Sequence, residues 1–329
     1  MGDFHQEAYK LQASFHLHDR EMQGEGGEGL LNSWLDDTTS DNWRHNRMYQ
    51  FARLFVADGD AATWLTVGDG RFGLDSVALR KRGVKNVLPS DIASSGLERA
   101  KEIGLIDAYA TENAESMSFQ DGEFDYVMCK EAYHHFPRPF AALYEMLRVA
   151  NKGVIIVEPN DYWQSPVGKL AFIVKRLLGK ARHVDQTRYE ESGNYVYTVS
   201  EREIEKLCLG LDLPCVFFKG INDVYIQGGE NAPAAWTSLV FVRMRLMILV
   251  LDALCALGLF KPTRLLICIF KKEPSQILRR EFSAAGWKLV DLPRNPHRPA
   301  SAEGFAPAFA QDERKNSISK NPSNSVNNS

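Results

Sequence analysis

From residue 63 onward the chain alternates short apolar runs with longer stretches in which apolar residues recur every three or four positions. The runs are TWLTV, KNVLPS, DAYAT, FDYVMCK and GVIIVEP, and Cys215 to Phe218 and Leu265 to Phe270 look the same. Short runs bounded by turn residues read as strands, and the 3.6 period between them reads as helix. Strands alternating with helices predict βαβ units, a parallel sheet and right-handed crossovers that put helices on both faces. The expected fold class is α/β: a doubly wound, mostly parallel seven-stranded sheet with an inserted helical lid.

The same pattern divides the chain. Residues 1–62 begin polar and irregular, then Met48, Phe51, Ala52 and Phe55 recur at helical spacing within Trp43 to Val56, predicting an N-terminal helical extension. Residues 63–161 are the expected ligand-binding core. Residues 162–198 break the alternation as a basic lid: Ser165 to His183 holds Lys169, Lys175, Arg176, Lys180 and Arg182 with no acid, interleaved with Leu170, Ile173, Val174, Leu177 and Leu178. Such a basic amphipathic helix is either a solvated lid or a surface for an anionic membrane or substrate. Residues 199–298 complete the sheet, with a helix opened by Ser200 and Glu203 at capping-box spacing and a helical insertion at 236–262. Residues 299–329 end in SISKNPSNSVNNS, a composition that predicts disorder.

Charge and composition narrow the partners. Lys and Arg number 39 against 42 Asp and Glu, a net charge of −3, which argues against a dedicated nucleic-acid binder. The five cysteines form no CxxC pair and sit among apolar neighbours, and Met1 to Arg20 lacks a signal-peptide stretch, so a cytoplasmic protein is expected. Leu239 to Phe260 approaches membrane-spanning length, but Arg243, Arg245 and Asp252 interrupt it, each costing roughly 2.5 to 3.5 kcal/mol at a bilayer centre. A buried or interfacial helix is the better reading, with peripheral contact to the inner membrane face left open. No metal-ligand spacing occurs, and no metal is expected.

The first strand runs into VGDGRFG, whose Gly68, Gly70 and Gly73 allow a tight turn and a close backbone approach to a ligand. The spacing is also GxGxxG, so a dinucleotide site fits it. Asp91 ends the second strand, 23 residues after Gly68, where a carboxylate can bind ribose hydroxyls or cap the next helix.

These motifs, with the NAE segment at Asn113, the DGEFDYV entry to strand four, AYHHF and the LYEMLRVANKGVIIVEP run, make Trp64 to Asp161 resemble class I S-adenosylmethionine-dependent methyltransferases of the methyltransferase type 11 family. The resemblance implies a Rossmann-like fold, methyltransferase activity and S-adenosyl-L-methionine as cofactor. It puts Gly68 and Gly70 beneath the methionine part with Asp69 also among the cofactor contacts, Asp91 on the ribose, Ile92 against adenine, Asn113 with Ala114 and Glu115 at the adenine edge, and Lys130 with Glu131 beside the methyl-transfer point. Two positions depart from the pattern: Thr66 stands where an acid is common, and Phe72 precedes the displaced Gly73. Asp69 in the loop favours a cationic ligand over a pyrophosphate.

For a hydroxyl acceptor the enzyme must align the acceptor and remove a proton, a task that suits an imidazole. His134 and His135 are the candidates, with His135 preferred. Tyr133, Asn160, Asp161 and Tyr195 are candidate acceptor contacts, each with a plainer reading as core, cap or turn; Trp163 and Tyr197 are further lid aromatics. The leading function is O-methylation of a small molecule or saccharide, including a lipid-linked glycan of polysaccharide biosynthesis. An NAD-dependent oxidoreductase and a non-catalytic methyltransferase-fold binding protein are the alternatives.

Overall fold

The computed structural model describes residues 7, 9–11, 33–59, 61–161, 166–177, 188–189 and 195–297. Met1–Asn295 group into one compact unit; of the remainder only residues 296–297 are described, so the expected disorder of 299–329 lies outside the described residues. Trp163, most of the lid and part of the basic helix's side chains also lie outside them.

The sheet has eight strands among the described residues: β1 (Thr63–Val67), β2 (Asn86–Asp91), β3 (Ala110–Thr111), β4 (Phe124–Lys130), β5 (Ala150–Pro159), β6 (Cys215–Ile221), β7 (Arg264–Phe270) and β8 (Lys288–Asp291), in the order β3-β2-β1-β4-β5-β7-β6-β8. The first five run parallel, β7 is antiparallel to both β5 and β6, and β8 is antiparallel to β6. Seven strands were expected, and β8 is the addition. Its four residues, KLVD, are all half-buried or exposed, so they carry no apolar run to mark them.

Helices fill the connections: α1 (Ser40–Asn46), α2 (Ala52–Asp58), α3 (Leu74–Arg80), α4 (Ser95–Glu102), α5 (Pro139–Val149), α6 (Pro166–Leu177), α7 (Glu201–Gly210), α8 (Leu239–Ala256) and α9 (Gln276–Ala284). The helix expected over Trp43 to Val56 is broken into α1, a 3-10 turn over Arg47–Tyr49, and α2. Its apolar face is still used, since Met48, Phe51, Ala52 and Phe55 are all buried. Phe55 stands 5.1 Å from Trp64, 4.7 Å from Tyr126 and 5.4 Å from Phe282 in edge-on contacts that tie the extension to the sheet and to α9. Burying one such ring stabilises by about 1.5–3 kcal/mol. Ser200 caps α7 as expected, its hydroxyl accepting from Glu203 N–H, while the Glu203 carboxylate takes the Tyr197 hydroxyl instead of closing the capping box.

From β1 the chain moves outward through β2 and β3 and returns on the other side at β4. Strand order reverses there, and a crevice beyond the carboxyl ends of β1 and β4 is where an open α/β sheet binds ligands.

Candidate active site

A cleft of about 820 Å³ occupies this switch point. Its floor is the turn after β1. Gly68 has φ +78°, and a Cβ on it would lie 2.3 Å from the Cβ of Ala132, so only glycine lets this loop pass the end of β4. Phe72 and Gly73 are both left-handed, at φ 58° and 64°. The Phe72 ring packs against the small cluster of Leu97, Ala100 and Ile106, which gives the residue in the displaced glycine position a core role.

Asp69 does not present its charge to a ligand, contrary to the sequence-based expectation. It is 2 % exposed and accepts from the Thr66 hydroxyl at 2.8 Å and from the Asp75 and Ser76 N–H groups at 3.0 Å each. The carboxylate therefore caps the start of α3, and Thr66, standing where an acid was missed, is its partner. Burial, with Asp75 nearby, pushes the Asp69 carboxyl well above its usual range.

Asp91 is held at the mouth of the cleft: Gly70 N–H donates to Oδ2 at 2.8 Å and Ala93 N–H to Oδ1 at 2.7 Å. Ile92, 37 % exposed, and Ala114 line the same side. Asn113 lines it too, but its side-chain oxygen accepts from Glu115 N–H at 3.0 Å and thereby closes its own turn. A glycine floor, a carboxylate fixed by two amides and apolar flanks fit a nucleoside with a short tail.

At the end of β4 the cleft becomes densely charged. Lys130 is 4 % exposed and lies 3.3 Å from Glu131 and 3.6 Å from Asp75, with its ammonium 5.0 Å from the Trp34 ring. Glu131, at φ 50°, also accepts from Arg264 at 3.0 Å. Lys130, Arg264 and Arg44 hold the Glu131 carboxyl well below its usual range despite burial. Helix α1 supplies Asp41, Arg44 and His45: Arg44 is paired to Asp41 at 2.8 Å and to Asp223 at 2.6 Å. Sequence reasoning missed all of these α1 residues, because Asp41 precedes the helix expected from Trp43, and Arg44 and His45 lie on it outside the apolar face of Met48, Phe51, Ala52 and Phe55.

His134 and His135 both line the cleft, ring centroids 4.1 Å apart. They are not equivalent. His134 Nδ1 lies 2.5 Å from Glu158 Oε2, and the fully buried Glu158 also accepts from Ala132 and Tyr133 N–H groups at 2.9 Å each. A carboxylate that accepts fixes Nδ1 as the protonated nitrogen and leaves Nε2 as the basic one. This geometry moves the preference from His135 to His134.

The expected acceptor contacts are not brought to the cleft. Tyr133 is 1 % exposed and packs against Phe136 and Tyr197. Asn160 donates to the Pro262 carbonyl at 2.8 Å, joining the end of β5 to the start of β7. Asp161 meets Thr198, and the exposed Tyr195 ring lies against Tyr189. Each satisfies a local turn or packing need, the plainer reading in every case.

Residues 65–157 match the family of methyltransferase domains. The chain carries a class I S-adenosylmethionine-dependent methyltransferase domain. S-adenosyl-L-methionine is the cofactor that goes with this methyltransferase fold. A 2-methyl-6-phytyl-1,4-hydroquinone methyltransferase from Synechocystis sp. is 32% identical over 32% of this chain and 37% of its own length. The chain thus spans little more than a third of the length of that relative. Similar solved structures include the YcgJ protein of a Bacillus, 19% identical over 68% of this chain and 99% of that one with a TM-score of 0.44. A SAM dependent methyltransferase from Archaeoglobus fulgidus is 17% identical over 67% and 92% with a TM-score of 0.42.

Proposed function

We propose that the protein is an S-adenosylmethionine-dependent methyltransferase that methylates a hydroxyl of a small molecule or saccharide. The observation that carries the choice of oxygen is the His134–Glu158 pair at the cleft wall. When bound, S-adenosyl-L-methionine supplies a methyl group on a positively charged sulfur. His134 Nε2 takes the proton of the acceptor hydroxyl, and Glu158 orients the ring and stabilises the imidazolium that forms. Asp91, held by Gly70 and Ala93, receives the ribose hydroxyls, and Lys130 with Glu131 walls the reacting centre.

The dinucleotide reading loses its support at α3. A pyrophosphate needs the N–H groups that open the helix after the glycine loop, and Asp69 already occupies two of them with a buried carboxyl.

A lipid-bearing acceptor, such as a lipid-linked glycan or a lipid-tailed phenol, is supported by exposed apolar residues on two helices. Leu170, Ile173, Val174 and Leu177 on α6 are exposed at the spacing of one helical face, with Lys169 and Arg176 also exposed. On α8, Leu239, Leu246, Leu249 and Val250 are exposed too. β7, which α8 precedes, starts beside the end of β5, with Pro159 opposite Arg264. No described helix is long and apolar enough to cross a membrane. The exposed apolar residues beside Lys169 and Arg176 support peripheral contact with an anionic membrane surface.

The test is calorimetry with S-adenosylhomocysteine, followed by methyl transfer to a panel of saccharide and phenolic hydroxyls. Asp91→Ala should weaken S-adenosylhomocysteine by about 1.5–3 kcal/mol, and His134→Ala should abolish transfer while leaving that affinity intact. Transfer at the wild-type rate by His134→Ala would remove it as the base.

A further inference from the structure

Two N–H groups in the cleft stand side by side without a hydrogen-bond partner. His45 Nδ1 and Trp34 Nε1 are both closed off from solvent and unpartnered, their rings lie 3.7 Å apart, and both residues line the cleft. Buried polar groups almost always find partners, so an adjacent pair of orphans on a cleft wall marks a place where a ligand supplies the missing atom.

The chemistry of that atom follows from the neighbours. Arg44 lies 2.9 Å from His45 Nε2, and a guanidinium only donates, so Nε2 must be the accepting nitrogen and Nδ1 must carry hydrogen. Glu131, the nearest carboxylate to Nδ1, stands 3.8 Å away, too far for a hydrogen bond. The indole nitrogen of Trp34 can also only donate. Around them Lys130, Arg44 and Arg264 keep their positive charge, whereas burial raises the carboxyls of Asp75 and Asp223. The Lys130 ammonium, 5.0 Å from the Trp34 ring, and the Arg44 guanidinium, 2.9 Å from His45, bring positive charge beside both donors, partly balanced by Glu131 and Asp41.

We propose that Trp34 and His45 form a donor pair for an anionic oxygen group, carried either by the amino-acid end of the cofactor or by the methyl acceptor. The proposal rests on the methyltransferase reading. It gives the N-terminal extension a binding role: Trp34 and α1 line the cleft next to Lys130 and Glu131 and add two N–H donors to it.

The test is calorimetry on the full chain, first with S-adenosylhomocysteine and then with benzoate added to the saturated complex. Trp34→Phe and His45→Phe keep the rings and remove the N–H; His45→Asn places an amide N–H near the position of Nδ1. One of the two probes should bind each Phe variant roughly ten- to hundredfold more weakly, with His45→Asn close to wild type. Weakening of S-adenosylhomocysteine places the cofactor's carboxylate on the pair, and weakening of benzoate places the acceptor there. The Trp34 indole N–H resonance, assigned by its loss in Trp34→Phe, should move when that probe is added to the wild type. Unchanged S-adenosylhomocysteine affinity in both Phe variants, with benzoate unbound or bound as in wild type, overturns the pair. A wild type that ignores S-adenosylhomocysteine overturns the methyltransferase reading instead.

Discussion

The two halves of the cleft are held together in different ways. On the β1–β2–β3 side the contacts that shape the glycine loop and the Asp91 corner are short-range in the chain or made by backbone: Gly70 and Ala93 amides fix Asp91, Asp69 caps the helix a few residues on, and Asn113 closes its own turn. On the β4–β7 side the contacts are side-chain ion pairs between distant segments, Arg44 with Asp223 and Arg264 with Glu131, separated by 179 and 133 positions. A loop built from local turns can be preorganised by its own sequence. A charged network of distant parts exists only once the whole fold has formed.

That contrast predicts where a single side chain matters most for stability. Arg44→Met leaves Asp223, whose side chain is 2 % exposed, with Arg264 at 3.7 Å as its nearest cation. Stranding a buried carboxylate costs about 3–5 kcal/mol, and adding Asp223→Leu should recover most of it, because a buried pair can be exchanged for apolar packing. Urea unfolding measures both. A loss under about 1 kcal/mol in the single variant would mean that water, not Arg44, solvates Asp223.

The backbone-built half should break at a glycine instead. Gly68→Ala forces a Cβ into Ala132 and strains a left-handed backbone, together about 2–4 kcal/mol. Because the loop is the nucleoside floor, S-adenosylhomocysteine binding should fall with it, whereas Arg44→Met should leave the Asp91 end of the site intact. Equal loss of cofactor affinity in both variants would erase the distinction between the halves.

Legibility in the sequence follows the same division. The strands of the sheet's centre are nearly continuous apolar runs, and Gly68, Asp91 and Ser200 sit at turns or caps whose chemistry is local, so each is visible from its neighbours. Strand β8 was invisible because a four-residue edge with Lys288 and Asp291 at its ends carries no apolar signal. DAYAT shrank to Ala110–Thr111 because only Ser90 and Asp91 pair with it. Asp69 read as a ligand-facing charge because a one-dimensional pattern cannot show that its carboxylate turns back toward α3. Asp41, Arg44 and His45 carry no local signal of a site. They are buried only because Asp223, Glu131 and Arg264 arrive from other parts of the chain.

His45 offers the finest test of the charged half, because its burial beside Lys130 and Arg44 holds its imidazole well below the usual 6.5. The unfolded chain therefore binds a proton there that the folded protein refuses, and folding stability falls as pH drops below about 6.5, by up to about 1.4 kcal/mol per pH unit. Asp69 and Asp75, raised by burial, act in the opposite direction over the acidic range, so the wild-type curve alone mixes the two. The difference between wild type and His45→Asn isolates the imidazole, since the amide does not titrate. Urea unfolding at pH 7.5, 6.5 and 5.5 should show the wild type losing more stability than the variant between pH 6.5 and 5.5. Parallel curves would place His45 in contact with water, and the charged half of the cleft would then be an open surface, not a closed wall.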